Sequence, residues 1–309
     1  MIRRGKYHLK KSDGYLHKGI KERIKIIKKL SKQHNIMLLC RVLKVARSTY
    51  YNHISHKESN LEIENQKLKT KILTIYHNSK CRYGCVKITH ILRQNGYPKI
   101  SVNRVLRLMR QLGIKSITIK KFKNYSQKQQ DIKLDNLVNQ NFSASKPNHI
   151  WLTDITYIHT IKNGWTYLAC VLDICTRKIV GYHYNRKMDK MLVITALKNA
   201  YKNQGHPQNV IIHSDRGSQY TSADYIKTVK HLNMKLSYSK KGCPFDNAPM
   251  EAFHACLKKE EVYICHYQTF EHARLALFEY IEGFYNRNRI HSAINFYTPI
   301  AFEKTCFAS

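Results

Sequence analysis

The sequence predicts two kinds of structure in series, an all-α, strongly basic N-terminal half followed by an α/β domain built on a mixed sheet. Three observations carry this reading. Apolar residues recur at three- and four-residue spacing as far as Leu112, whereas after Pro147 they fall into short alternating runs bounded by turn residues. Positive charge is concentrated before that switch.

The chain of 309 residues carries 54 Lys and Arg against 20 Asp and Glu, a net charge of +34. Residues 1–145 hold 33 basic and 7 acidic residues, net +26, and the remainder 21 and 13, net +8. So concentrated an excess favours a polyanionic partner, and nucleic acid gains most through release of its condensed counterions. A membrane surface is the rival. The longest apolar runs, such as Ile36 to Cys40, fall well short of the roughly 18 residues a span needs. Met1-Ile2-Arg3-Arg4-Gly5-Lys6 leads into no apolar signal core. Nine scattered cysteines point to reduced thiols and a cytoplasmic location. Cys81 and Cys85 could form half of a zinc site, but no second Cys or His pair completes a tetrahedron.

In the basic half, Ile20, Ile24, Ile27 and Leu30 mark an amphipathic helix over Ile20 to His34. A short helix from Met37 and a third capped by Ser48 or its neighbour suggest helix-turn-helix over residues 1–57. A similar unit occupies residues 58–115, where the turn Asn95-Gly96-Tyr97-Pro98 precedes a helix with Ser101 as N-cap. On that helix Val102, Val105, Leu106, Met109 and Leu112 share one face, while Arg104, Arg107 and Arg110 form a basic face suited to a DNA groove. Any soluble helix also has a solvated charged face, and only the net charge tips the balance toward DNA. Residues 116–145, including Lys120 to Lys123 and Ser126 to Gln130, read as a polar, basic linker.

The last domain, residues 146–309, opens with strands at Ile150 to Thr160, Trp165 to Thr176 and Lys178 to Asn185. A helix from Met188 to Asn203, a strand at Asn209 to His213, a helix near Ala223 to Leu232 and a strand at Met234 to Ser239 follow. Asp154 stands mid-strand, a costly place for an unpaired carboxylate. Asp215 ends the strand Val210 to His213, where α/β sheets gather ligand-binding groups. Glu251 begins an apparent helix, and Lys258 returns to its face about 10 Å along the axis. Phosphodiester chemistry needs hard oxygen ligands for two Mg²⁺ ions about 4 Å apart, which a few such carboxylates can supply. Taken singly, each is equally well a helix cap or an ion-pair partner.

In context the segments Trp151-Leu152-Thr153-Asp154-Ile155-Thr156-Tyr157, His213-Ser214-Asp215-Arg216-Gly217-Ser218-Gln219-Tyr220 and Asp246-Asn247-Ala248-Pro249-Met250-Glu251 resemble the three motifs of DDE transposases. The likeness is to the second-reading-frame (OrfB) proteins of bacterial insertion sequences. Thirty-five residues separate Asp215 from Glu251, the interval this family shows. Tyr285-Asn286 through Arg289 and His291 resembles its C-terminal signature, and Tyr83-Gly84 with Arg104 to Met109 its upstream helix-turn-helix.

The resemblance implies a ribonuclease-H-like, retroviral-integrase-type core. Asp154, Asp215 and Glu251 would be the catalytic metal ligands for two Mg²⁺ (or Mn²⁺) ions, and Lys258 would contact DNA near the cleaved end. The implied partners are double-stranded DNA at the terminal inverted repeats and the target, further copies of the chain, and an upstream-frame protein joined by ribosomal frameshifting. Retroviral integrases carry a paired-His, paired-Cys module ahead of the core, and this chain has none. The competing readings are an inactive or domesticated end-binding remnant, a ribonuclease-H-type nuclease, and a tyrosine recombinase using Tyr285 among Arg287, Arg289 and His291.

Overall fold

A computed structural model of the chain describes residue 17 and residues 19–55, 58–119, 135–141, 144–240 and 244–308. Lys120 to Lys123 and Ser126 to Gln130 lie outside the described residues. The chain divides into two compact units, Met1–Leu68 and Lys69–Ser309.

The first unit contains helices α1 (Ile20–Leu30), α2 (Ile36–Val42) and α3 (Arg47–Ile54), and the boundary falls within α4 (Asn60–Asn78). Ile24, Ile27, Leu39, Cys40, Leu43, Val45 and Tyr50 form its core with Leu30 packed against it, whereas Ile20, at the start of the predicted apolar stripe, is exposed. Helix α3 starts earlier than expected. Its N-cap is Ala46, which offers no side-chain cap, and Ser48 lies inside the first turn.

In the second unit α5 (Cys85–Gln94) and α6 (Val102–Gln111) pack as a pair. Ser101 caps α6 through its hydroxyl, which accepts from Arg104 N at 3.2 Å. Val105, Leu108 and Met109 are the buried residues of α6, while Arg107 and Arg110 are exposed and Arg104 half-buried. The stretches flanking residues 120–134 are anchored: Ile117 N donates to Cys81 O, Ile119 N to Lys259 O, and Val138 is buried.

Five strands form one sheet: β1 (Ile150–Thr160), β2 (Gly164–Asp173), β3 (Ile179–Asn185), β4 (Ile211–Ser214) and β5 (Lys235–Tyr238), in the order β3-β2-β1-β4-β5. The first three form an antiparallel meander, and β4 and β5 add in parallel. Strand β2 stops short of its predicted end because Asp173 Oδ1 accepts from Thr176 N and Oγ1 at 2.8 and 2.9 Å, closing a side-chain turn. Helix α7 (Lys190–Asn203) and α8 (Ala223–His231) cover one face, joining Leu192, Leu197, Tyr225 and Val229 to Trp151 and Val171.

Alternation along β1 sends Trp151 and Ile155 toward that core and leaves Leu152, Asp154 and Thr156 on the opposite face. There lies α9 (Ala248–Leu257), followed by a π-turn at Lys258–Val262, α10 (Phe270–Phe278), a second π-turn at Glu279–Tyr285 and α11 (Pro299–Ala308). Among the described residues no helix is long and apolar enough to cross a membrane.

Candidate active site

Strand register brings the first two predicted carboxylates together. Strands β1 and β4 pair in parallel through Ile150 with Ile211, Trp151 with Ile212 and Leu152 with His213. Two residues further on, the same offset sets Asp154 beside Asp215, just past the end of β4. Asp154 Oδ1 accepts from Ile155 N at 2.8 Å, and Asp215 Oδ1 from Gly217 N at 3.0 Å. A Cβ at Gly217 would lie 3.0 Å from Asp215 Oδ1, so glycine lets the loop close on the carboxylate.

The third carboxylate is delivered by a braced loop. Asp246 is buried before α9 and accepts from Lys240 N at 2.6 Å and from Asn136 Nδ2 and Gln140 Nε2 at 2.8 Å each. Asn247 Nδ2 donates to Thr153 O at 3.3 Å, fastening the start of α9 beside Asp154. Helix α9 begins at Ala248, earlier than the sequence suggests, because Pro249 sits in its first turn where a missing N–H costs nothing. Glu251 therefore lies within that first turn, exposed, while Met250, Phe253, His254 and Leu257 are buried.

Asp154 acts on both of the other carboxylates. Burial, and then repulsion from Asp154, raises the Asp215 carboxyl to about 6, against the lowering effect of the Gly217 N–H. Asp215 keeps an open face toward solvent while surrounding protein atoms crowd its other side. Burial and Asp154 likewise raise Glu251. Among the described residues no group of three His, Cys, Asp or Glu side chains is gathered closely enough to hold a metal ion. The donor set still suits Mg²⁺, which prefers hard oxygens, takes one or two carboxylates and keeps several waters. A carboxylate that raises two neighbouring ones creates repulsion of the kind a divalent cation relieves.

Lys258 begins the π-turn that continues the helix of Glu251. Arg104, Arg107 and Arg110 stand on α6, a separate element from the carboxylate cluster. Cys81 Sγ lies 4.0 Å from His77 Nδ1 without further metal donors, and every described cysteine is free.

Several supporting residues escape a sequence reading. His213 is buried with Nδ1 2.8 Å from Ser237 Oγ and Nε2 3.1 Å from Ser239 Oγ, tying β4 to β5 below Asp215. His254 Nδ1 lies 3.4 Å from Asp154 Oδ2. In the C-terminal signature, Asn286 accepts from Ile179 N and donates to Ile179 O, both at 3.0 Å, capping the free edge of β3. Tyr285 is buried against Phe253 with ring centroids 4.7 Å apart. Buried polar residues inside a motif were the available signal, but their partners lie far away in sequence.

Residues 144–244 and 251–307 match two family models described as integrase core domain, and residues 62–122 match an HTH-like domain. The transposase for insertion sequence element IS904 of Lactococcus lactis is 39% identical over 80% of this chain and 98% of its own length. Transposase InsF for IS3A of Escherichia coli is 38% identical over 90% of this chain and 96% of its own. A chain of the simian T-cell lymphotropic virus intasome aligns at TM-score 0.45 and 16% identity, covering 74% of this chain and 73% of that one. The HTLV-2 integrase catalytic core domain in complex with magnesium aligns at 0.40 and 18%, covering 51% and 97%. With its ribonuclease-H-like strand order, its integrase core and HTH-like segments, and relatives matched over nearly their full length, the chain belongs to the insertion-sequence transposases.

Proposed function

We propose that the protein cuts a phosphodiester bond at the end of an insertion sequence and joins the released 3′-hydroxyl to target DNA, with Asp154, Asp215 and Glu251 as its catalytic carboxylates. The observation that carries this reading is the parallel register of β1 and β4, which sets Asp154 beside Asp215, with Glu251 near enough to feel the charge of Asp154. Two bound Mg²⁺ or Mn²⁺ ions would supply an activated oxygen nucleophile and neutralise charge on phosphorus and the leaving oxygen. Asp154 from within β1 and Asp215 from the loop just past β4 hold the sheet side of the site, and Glu251 from α9 the helix side. In the joining step the 3′-oxygen forms a bond to a target phosphorus while the bond from that phosphorus to its own 3′-oxygen breaks.

Lys258, on the continuation of the same helix, is assigned to contact with the phosphate backbone near the cut. Arg104, Arg107 and Arg110 are assigned to binding the terminal inverted repeats, consistent with the net charge of +26 over residues 1–145. The domain order follows: residues 1–57 and 58–115 bind DNA, 116–145 connect, and 146–309 do the chemistry. Pairing of two element ends calls for more than one copy of the chain, and fusion to an upstream-frame protein would add a further DNA-binding segment. The reaction belongs in the bacterial cytoplasm, where its DNA substrates are. The test is joining of a labelled element end to a plasmid by the purified protein, fused to the upstream frame where the element encodes one. Products are expected with Mg²⁺ or Mn²⁺ and none with chelator, and joining that persists in chelator would refute the metal-dependent reading.

A further inference from the structure

His254 stands one helical turn after Glu251 on α9, and its side chain is nine-tenths buried against β1. Its two ring nitrogens meet different surroundings. Nδ1 faces Asp154 Oδ2 at 3.4 Å, whereas Nε2 is buried without a hydrogen-bond partner. A neutral imidazole has one N–H and one lone pair. Placing the hydrogen on Nε2 would bury a donor with no acceptor and turn a lone pair toward a carboxylate oxygen, two unfavourable contacts at once. Placing it on Nδ1 puts the N–H on the nitrogen nearest the carboxylate, 3.4 Å away and longer than an ordinary hydrogen bond to a carboxylate, and leaves only a weakly costly bare acceptor inside.

The opposite side of the same joint is also fixed. Asn247 Nδ2 donates to Thr153 O at 3.3 Å, so the turn leading into α9 is fastened to β1 at the residue before Asp154, and His254 lies beside Asp154 itself. The other oxygen of Asp154 accepts from Ile155 N. Each carboxylate oxygen thus has one neighbour from the protein and keeps its remaining lone-pair directions for a ligand.

We propose that His254 is a positioning residue that, as the Nδ1–H tautomer, holds Asp154 Oδ2 and so fixes the spacing between the first and third carboxylates. This rests on the carboxylate reading above and adds to it the group that orients its first member. A side chain that orients a ligating carboxylate typically accounts for about 10- to 100-fold in metal affinity.

The test uses Mn²⁺ alone as probe, followed by electron paramagnetic resonance on the full chain without DNA, with His254→Asn and His254→Phe. Asparagine can place its amide Nδ2 where the histidine has Nδ1, while phenylalanine keeps the ring and loses the donor. His254→Asn is expected to bind Mn²⁺ within about threefold of wild type, and His254→Phe about tenfold or more weakly with an unchanged melting temperature. Wild-type affinity in His254→Phe, or equal loss in both variants, would overturn the proposal. Nitrogen-15 NMR of the metal-free wild type gives a second reading that needs no stable Phe variant, its His254 signals assigned by their loss in His254→Asn. A protonated Nδ1 is expected, and a protonated Nε2 would overturn the proposal even if Mn²⁺ binds. Absence of Mn²⁺ binding by the wild type would instead count against the carboxylate site, leaving the tautomer to decide the role of His254.

Discussion

Arg289 grips Glu260 in a buried fork, with Nε 3.0 Å from Oε2 and Nη2 2.9 Å from Oε1. Tyr280 adds its hydroxyl to Oε2 at 2.9 Å. Next to it, Arg82 donates from Nε to Glu260 O at 3.1 Å and from Nη2 to Glu261 Oε2 at 2.6 Å. The pairs bind the π-turn after α9 to the segment before α5 and to the C-terminal signature. Removing one partner strands a buried charge, so Arg289→Met is expected to lower unfolding free energy by about 3–5 kcal/mol. Urea unfolding checks this, and the double variant Arg289→Met, Glu260→Met should recover most of the loss.

Lys87 borders the same cluster and is pushed down to about 8 by burial and then by Arg289, against the pull of Glu260. A lysine whose folded value lies below its unfolded one penalises the folded state wherever it must be charged, fully below pH 8. Stability should therefore rise as pH climbs from there toward the unfolded value of about 10.4. Lys87→Met is expected to be the more stable protein at neutral pH, by on the order of 1–3 kcal/mol, with the gap closing in alkali. A gap independent of pH would contradict this cause.

Gly181 lies in β3 where α7 crosses closely. An added Cβ would meet the backbone of Ala200, including its Cα at 2.6 Å. Asn199 and Asn203 of α7 donate to Tyr182 O and Val180 O at 3.0 and 3.1 Å, holding the elements together on both sides of that point. Neither backbone can yield easily. Gly181→Ala is expected to lower stability by about 1–3 kcal/mol or more, read from thermal unfolding.

The buried position of Tyr285 bears on strand transfer by a tyrosine nucleophile. Burial raises its phenol above the usual tyrosine value, and its ring packs on Phe253. Tyr285→Phe protein is expected to join DNA ends at the wild-type level, whereas a tyrosine recombinase would lose all activity. End-joining assays with the two proteins decide the matter.

Elements with strong periodicity were legible in the sequence: β1 spans Ile150–Thr160 as read, and Ser101 caps α6. Boundaries set by side-chain turns were not, as at Asp173, where a hydrogen-bonded turn ends β2, and at Pro249, which opens α9 instead of breaking it. The carboxylates were recognisable through motif context, but what steers them was not. Asp246 takes Asn136 and Gln140 as partners, 110 and 106 residues away, and Arg289 meets Glu260 across 29. Such pairings are products of the tertiary fold, and no local pattern encodes them.

Asp215→Asn keeps the shape of the side chain while removing its charge. The most direct measurement compares wild type with Asp215→Asn in joining a labelled element end to a plasmid in Mg²⁺, with end binding followed by gel shift. Binding retained and joining abolished is the expected result. Joining by Asp215→Asn at the wild-type rate would contradict the assignment of the three carboxylates.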